Sequence, residues 1–145
     1  MRKLLPILVL LAAPVFPAIA EEAPARPMVV VDEAATVRDE PPPHGAIGMS
    51  TAYRISDLVP ARTMEFRKRV LHPGAAIGEH VIAHDEVYYV LSGEGEVVSD
   101  GQTARLGPGM AAYLYTGANV GIRQLGTDPL TLIISYPVER TADDD

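Results

Sequence analysis

The stretch GAAIGEHVIAHDEVYYVLSG, residues 74–93, decides how this chain is read. Gly74 and Gly93 bracket it, and His72-Pro73 leads into it. Two short runs rich in β-branched and aromatic residues, 77–82 and 87–91, stand on either side of His84-Asp85. Such runs predict two strands joined by a turn. Side chains two apart on a strand face the same way. His80 and Ile82 therefore share one face, and Glu86, Tyr88 and Val90 share a face on the next strand.

The pattern continues on both sides. Residues 51–55, 63–71, 96–99, 102–106, 111–115, 120–124 and 130–136 are further candidate strands. Gly93-Glu94-Gly95 and Gly107-Pro108-Gly109 turn the chain between them. Asp100-Gly101 predicts a two-residue hairpin, because both turn positions need positive φ. No stretch beyond residue 46 carries a helical apolar stripe of three turns. Many short strands with spaced turns predict an all-β sandwich or barrel. On the strand 63–71, Phe66, Lys68 and Val70 share one face, and Glu65, Arg67 and Arg69 share the other. This basic cluster reads as a solvated edge that discourages aggregation, with an anionic-ligand role as the second reading. His44 and His72 read as surface or turn residues.

The chain has 145 residues, enough for one domain. Residues 1–20 read as a secretory signal: Arg2 and Lys3, then an apolar run over 4–16, then Ala18-Ile19-Ala20 before cleavage at Glu21. The run is shorter than the about 20 residues that span a bilayer. Residues 21–45 are rich in Pro, Ala and acidic side chains and end in Pro41-Pro42-Pro43-His44-Gly45, which predicts a flexible arm. Within it Val29, Val30 and Val31 are an alternative short strand. Residues 46–140 are the folded domain and 141–145 a solvated acidic tail. The net charge is −7, and loss of Arg2 and Lys3 makes the mature chain more acidic still. That argues against nucleic acid and anionic membrane as partners. With no cysteine, an exported chain is held by its core alone. Asn119, the only Asn, has no glycosylation sequon. A short signal, no disulfide and no glycan site predict the bacterial periplasm. No P-loop, dinucleotide fingerprint, G-x-S-x-G setting or cysteine nucleophile is present.

Gly74, His80, Glu86 and Gly93 follow the spacing of the first cupin signature, G-x5-H-x-H-x3-E-x6-G, with Ile82 at the second His. The later cupin signature, G-x5-P-x-G-x2-H-x3-N, matches at Gly109 and Gly117, with Tyr115 for Pro, Val120 for His and Gln124 for Asn. Residues 68–136 thus resemble a small single-domain cupin of the type-2 kind, and the run DEVYYVLSGEGEVVSDG, residues 85–101, carries the likeness beyond bare spacing. The resemblance implies a jelly-roll barrel of two packed antiparallel sheets around a pocket. It also implies a divalent metal, such as iron, manganese, nickel or zinc, held by three His and one Glu. Here Ile82 and Val120 fill two of those places, leaving His80 and Glu86. Catalytic zinc sites typically keep three protein ligands. His84, turned inward, completes a two-His-one-carboxylate set. The alternative is a hydrogen-bonded His80–Glu86 pair in an apolar pocket, with His84 on the rim. Tyr88 and Gln124 are predicted to face inward, and Tyr115 to cover one pocket edge, as ligand-binding residues. Arg123 has the opposite parity from Gln124.

The leading expectation is an exported cupin that binds a small molecule and has a degenerate metal site. One alternative is a metal-dependent enzyme of the oxygenase or isomerase type using His80, His84 and Glu86. The other is a non-catalytic assembly protein whose arm pairs with a neighbour's sheet. The resemblance implies a homodimer.

Overall fold

Ten strands form, nine of them at the candidate runs, and all of them pair antiparallel. The structure is a computed structural model that describes residues 26–138. The expected signal 1–20 and the acidic tail 141–145 lie outside those residues. The strands are β1 Val37–Glu40, β2 Ser50–Tyr53, β3 Met64–Leu71, β4 Ala76–Val81 and β5 Glu86–Ser92, then β6 Glu94–Ser99, β7 Gln102–Leu106, β8 Ala111–Leu114, β9 Asn119–Leu125 and β10 Leu130–Pro137. Two short 3-10 turns, Glu33–Thr36 and Ile55–Leu58, are the remaining regular elements among the described residues.

One sheet has six strands in the order β1-β2-β3-β10-β5-β8, and the other has four in the order β4-β9-β6-β7. The apolar faces of the two sheets meet in a single core that includes Leu71, Ile77, Val90, Val120, Ile122, Leu130 and Leu132. This is a jelly-roll arrangement, as the strand pattern predicts. The Asp100-Gly101 hairpin takes positive φ at both positions, 48° and 78°. Gly93 has a φ of 77°, and a Cβ there would stand 2.2 Å from the Pro129 carbonyl oxygen. No other residue fits that turn without moving the start of β10.

Two expectations need correction. The segment 21–45 is not an arm throughout. Residues 33–36 form a turn capped by Asp32, whose Oδ1 accepts from the Ala34 amide at 3.0 Å. Residues 37–40 then pair with β2 across the full length of both strands. Val29 and Val30 form no strand and are exposed. The second correction concerns β3, which lies between β2 and β10 and is no edge. Its charged face points in and its apolar face points out: Glu65 and Arg69 are buried, whereas Phe66 is exposed.

Beyond β1 the chain runs as a strap along β4, the edge of the smaller sheet. The Gly78 amide donates to the Pro43 carbonyl at 3.3 Å, and the Ala76 amide to the Ile47 carbonyl at 3.1 Å. These bonds satisfy an edge that otherwise invites foreign strands. The approach is close: a Cβ on Gly78 would come 1.6 Å from the His44 carbonyl oxygen. Gly78→Ala is therefore expected to push the strap off β4. The loss should be about 1–3 kcal/mol of stability by denaturant unfolding, with faster hydrogen exchange at position 78 and at Ala76. Exchange as slow as in the parent chain would contradict this docking.

Candidate functional site

A cavity of about 340 Å³ opens between the two sheets beside the strap. The register of the six-stranded sheet builds one wall. Arg67 on β3 stands opposite Ile134 on β10, which stands opposite Tyr88 on β5. Arg69 and Tyr136 flank that row, and Glu86 lies toward the start of β5. Ile77 and Ile82 form the opposing floor, and His44, His80 and His84 stand around the mouth.

The charges on this wall are held by a network reaching outside the cavity. Glu65 is 1% exposed. Its carboxylate accepts from Ser56 Oγ at 2.8 Å, from Arg62 Nε at 3.1 Å and from Arg67 Nε. Burial opposes its ionisation, but hydrogen bonds from Arg67 and Ser56 hold its carboxyl below the usual range. Arg69 donates to Ser50 Oγ at 2.8 Å and to Glu40 Oε1 at 3.1 Å. Arg54 binds both oxygens of the same Glu40 at 2.8 and 2.9 Å.

Glu86 has no such support. Its only ion-pair contact among the described residues is His84 Nε2, 3.8 Å from Oε2. Burial pushes its carboxyl up to about 7, and Arg67 offsets only part of that. Burial likewise pushes the Tyr88 hydroxyl up, helped by Glu86 and Tyr136.

The expected metal ligands reach the same cavity without converging on a point. His80 lies flat against His44, ring centroids 3.5 Å apart, and its Nδ1 is 3.0 Å from the Gly78 carbonyl oxygen. His84 lies flat against Tyr136 at 4.2 Å. Among the described residues no three His, Cys, Asp or Glu side chains stand close enough together to hold a metal ion. Ile82 and Val120, which take two liganding places of the signature, are buried. The three-ligand set of His80, His84 and Glu86 is not assembled in this arrangement of side chains, which falls short of the three ligands a metal centre typically keeps.

The expected ligand-binding residues divide. Tyr88 is 1% exposed and lines the cavity. Gln124 is buried but turned to the backbone. Its Oε1 accepts from the Gly74 amide at 2.8 Å, and its Nε2 reaches the carbonyls of Leu125, Gly126 and Asp128. It pins two turns and does not line the cavity. Tyr115 does not cover the cavity. It stands 69% exposed against Tyr113, on a turn held outward by Asp85, which accepts from the Thr116 amide and hydroxyl at 2.9 and 2.8 Å. Arg123 points out and pairs with Glu96 at 2.7 Å. His72 sits in its turn, 3.0 Å from Thr51 Oγ1.

Four cavity residues were not expected there: His44, Arg67, Arg69 and Tyr136. The shared parity of Glu65, Arg67 and Arg69 is visible in the sequence, and only its direction is inverted. His44 has a φ of 60°, uncommon for a residue with a side chain. Burial and the neighbouring His80 hold its imidazole below the usual range.

The family model for the cupin domain matches residues 68–136. This is a small cupin domain. The solved structure of a predicted oxalate decarboxylase from Thermotoga maritima superposes with a TM-score of 0.67 at 21% identity, covering 77% of this chain and 100% of that one. An RmlC-like cupin from Shewanella frigidimarina gives 0.61 at 18% identity over 78% of this chain and 94% of its own. The protein TT1209 from Thermus thermophilus is 28% identical, with a TM-score of 0.52, over 71% of this chain and 84% of its own. The first two likenesses carry the cupin fold alone. Among curated proteins no match is found.

The raised Glu86 carboxyl gives the cupin a pH signature. Unfolded, this group ionises near 4.5; folded, near 7. The fold thus binds the proton more tightly than the unfolded chain does. Its contribution is complete below about pH 4.5 and is lost as pH rises through 7, by up to about 3 kcal/mol. Unfolding free energies measured from pH 4.5 to 8 should show Glu86→Gln gaining on the parent chain as pH rises. Parallel curves for the two proteins would refute this.

Proposed function

We propose that this cupin is an exported small-molecule-binding protein whose cavity meets its ligand directly through side chains, without a metal centre. The observation that carries the reading is the make-up of the cavity. It has an apolar floor of Ile77 and Ile82 facing Ile134 on the opposite wall, with a few polar groups, Arg67, Glu86, Tyr88 and Tyr136, set around them. Pockets for small organic ligands have this composition, and about 340 Å³ lies at the small end of their range. Fold alone does not choose among cupin activities, so the proposal rests on the lining. Export to the periplasm belongs to the same proposal and rests on residues 1–20; pairing into a homodimer rests on the family resemblance alone.

A second reading, a metal-dependent enzyme of the oxygenase or isomerase type, is favoured by one contact, the 3.8 Å approach of His84 to Glu86. Elemental analysis of the purified mature protein separates the two. Direct binding predicts transition-metal content near zero, together with thermal stabilisation by small organic compounds in metal-free buffer. Stoichiometric iron, manganese, nickel or zinc that disappears in His80→Ala would establish the metal reading instead.

A further inference from the structure

We propose that the ligand is a small carboxylic acid and that Arg67 is the residue that grips its carboxylate. This deepens the small-molecule reading and rests on it. Three charged side chains line the cavity, and two of them are arginines; Glu86 is the single carboxyl. The two arginines differ in what remains of their hydrogen-bonding capacity. Arg69 is 4% exposed and is held by Ser50 and Glu40. Arg67 gives its Nε to Glu65, and its Nη2 stands 3.9 Å from Asp57, beyond hydrogen-bond distance. No described protein acceptor takes a hydrogen bond from either Nη nitrogen. The Glu65 bond fixes the guanidinium plane while its outer edge, with Asp57 as a distant ion-pair neighbour, makes no hydrogen bond to the described protein, and the side chain is 26% exposed. A guanidinium held by one edge with the other open is the geometry that receives a planar carboxylate on two parallel N–H donors.

The same row sets the rest of the ligand. From Arg67 the wall passes to Ile134 and then to Tyr88, two strand spacings or about 10 Å. Ile82 and Ile77 face that row. A carboxylate on Arg67 therefore places an apolar or ring-shaped body of a few carbons over Ile134, with its far end at Tyr88. A bulky multiply charged phosphate fits less well, because one open guanidinium edge supplies too few donors and Glu86 shares the cavity.

The test uses matched pairs of like shape in which the anionic carboxylate is replaced by a neutral amide: hexanoate and hexanamide, benzoate and benzamide, succinate and succinamide, galacturonate and galacturonamide. Calorimetry or thermal shift on the full mature protein at low salt should find at least one acid bound about tenfold or more tightly than its amide, as a charge-assisted pair requires. Arg67→Gln should abolish the difference within that pair while the amide's own affinity is unchanged. Should that variant fold poorly, the comparison within each pair on the parent protein still decides the matter. Amides that bind as well as their acids, or acids whose preference survives in Arg67→Gln, overturn the carboxylate inference and leave small-molecule binding standing. If no acid or amide binds and a broader set of neutral organic compounds also fails, the small-molecule reading falls with it.

Discussion

Buried charge on the inner face of β3 is the constraint around which the rest of this cupin is arranged. Glu65 and Arg69 are almost wholly inside. A buried ion without partners costs several kcal/mol. Apart from Arg67 on β3 itself, the partners come from the chain before β3. Ser56 and Arg62, around the turn Ile55–Leu58, serve Glu65. Glu40 at the end of β1 serves Arg69 and ties in Arg54. The N-terminal third of the described chain is thus ordered by the need to neutralise one strand. The arrangement also keeps polar groups on the wall of a cavity whose floor is aliphatic.

How much of this is legible in the sequence depends on how local the signal is. The inward row Glu86, Tyr88 and Val90 is readable because the family signature fixes the parity of β5. The same logic fails on β3, where apolar side chains face out and charged ones face in. The usual assumption is that the apolar face is the buried one, and it inverts when the inner face borders a cavity instead of a core. Phe66 and Arg69 carry the two halves of that inversion. Nothing near residue 40 announces that its carboxylate will meet a guanidinium 29 positions later. An acidic, proline-rich stretch therefore reads as an arm until its partner is known.

The two signatures teach different things. Their glycines describe turns, and the turns are there. Their polar positions describe a metal site, and here those positions have been put to other uses. Gln124 stitches the turn at Gly74 to the loop before β10. His80 supports the strap through His44. Tyr115, at the proline position, is carried outward by the Asp85–Thr116 turn. The signature glycines hold the turns while Gln124 and His80 make contacts within the protein, so fold and site are separate questions in this chain.

The strap joins the two sheets through Pro41-Pro42-Pro43. It leaves the larger sheet at Glu40 and is bonded to the smaller one from Pro43 onward. Three consecutive pyrrolidine rings lock three φ angles, so the linker behaves as a short strut of nearly fixed length. On this side the separation of the sheets is set by covalent geometry. The mouth therefore has a built-in calliper: on this side its width is set by a rigid spacer rather than by side-chain packing alone.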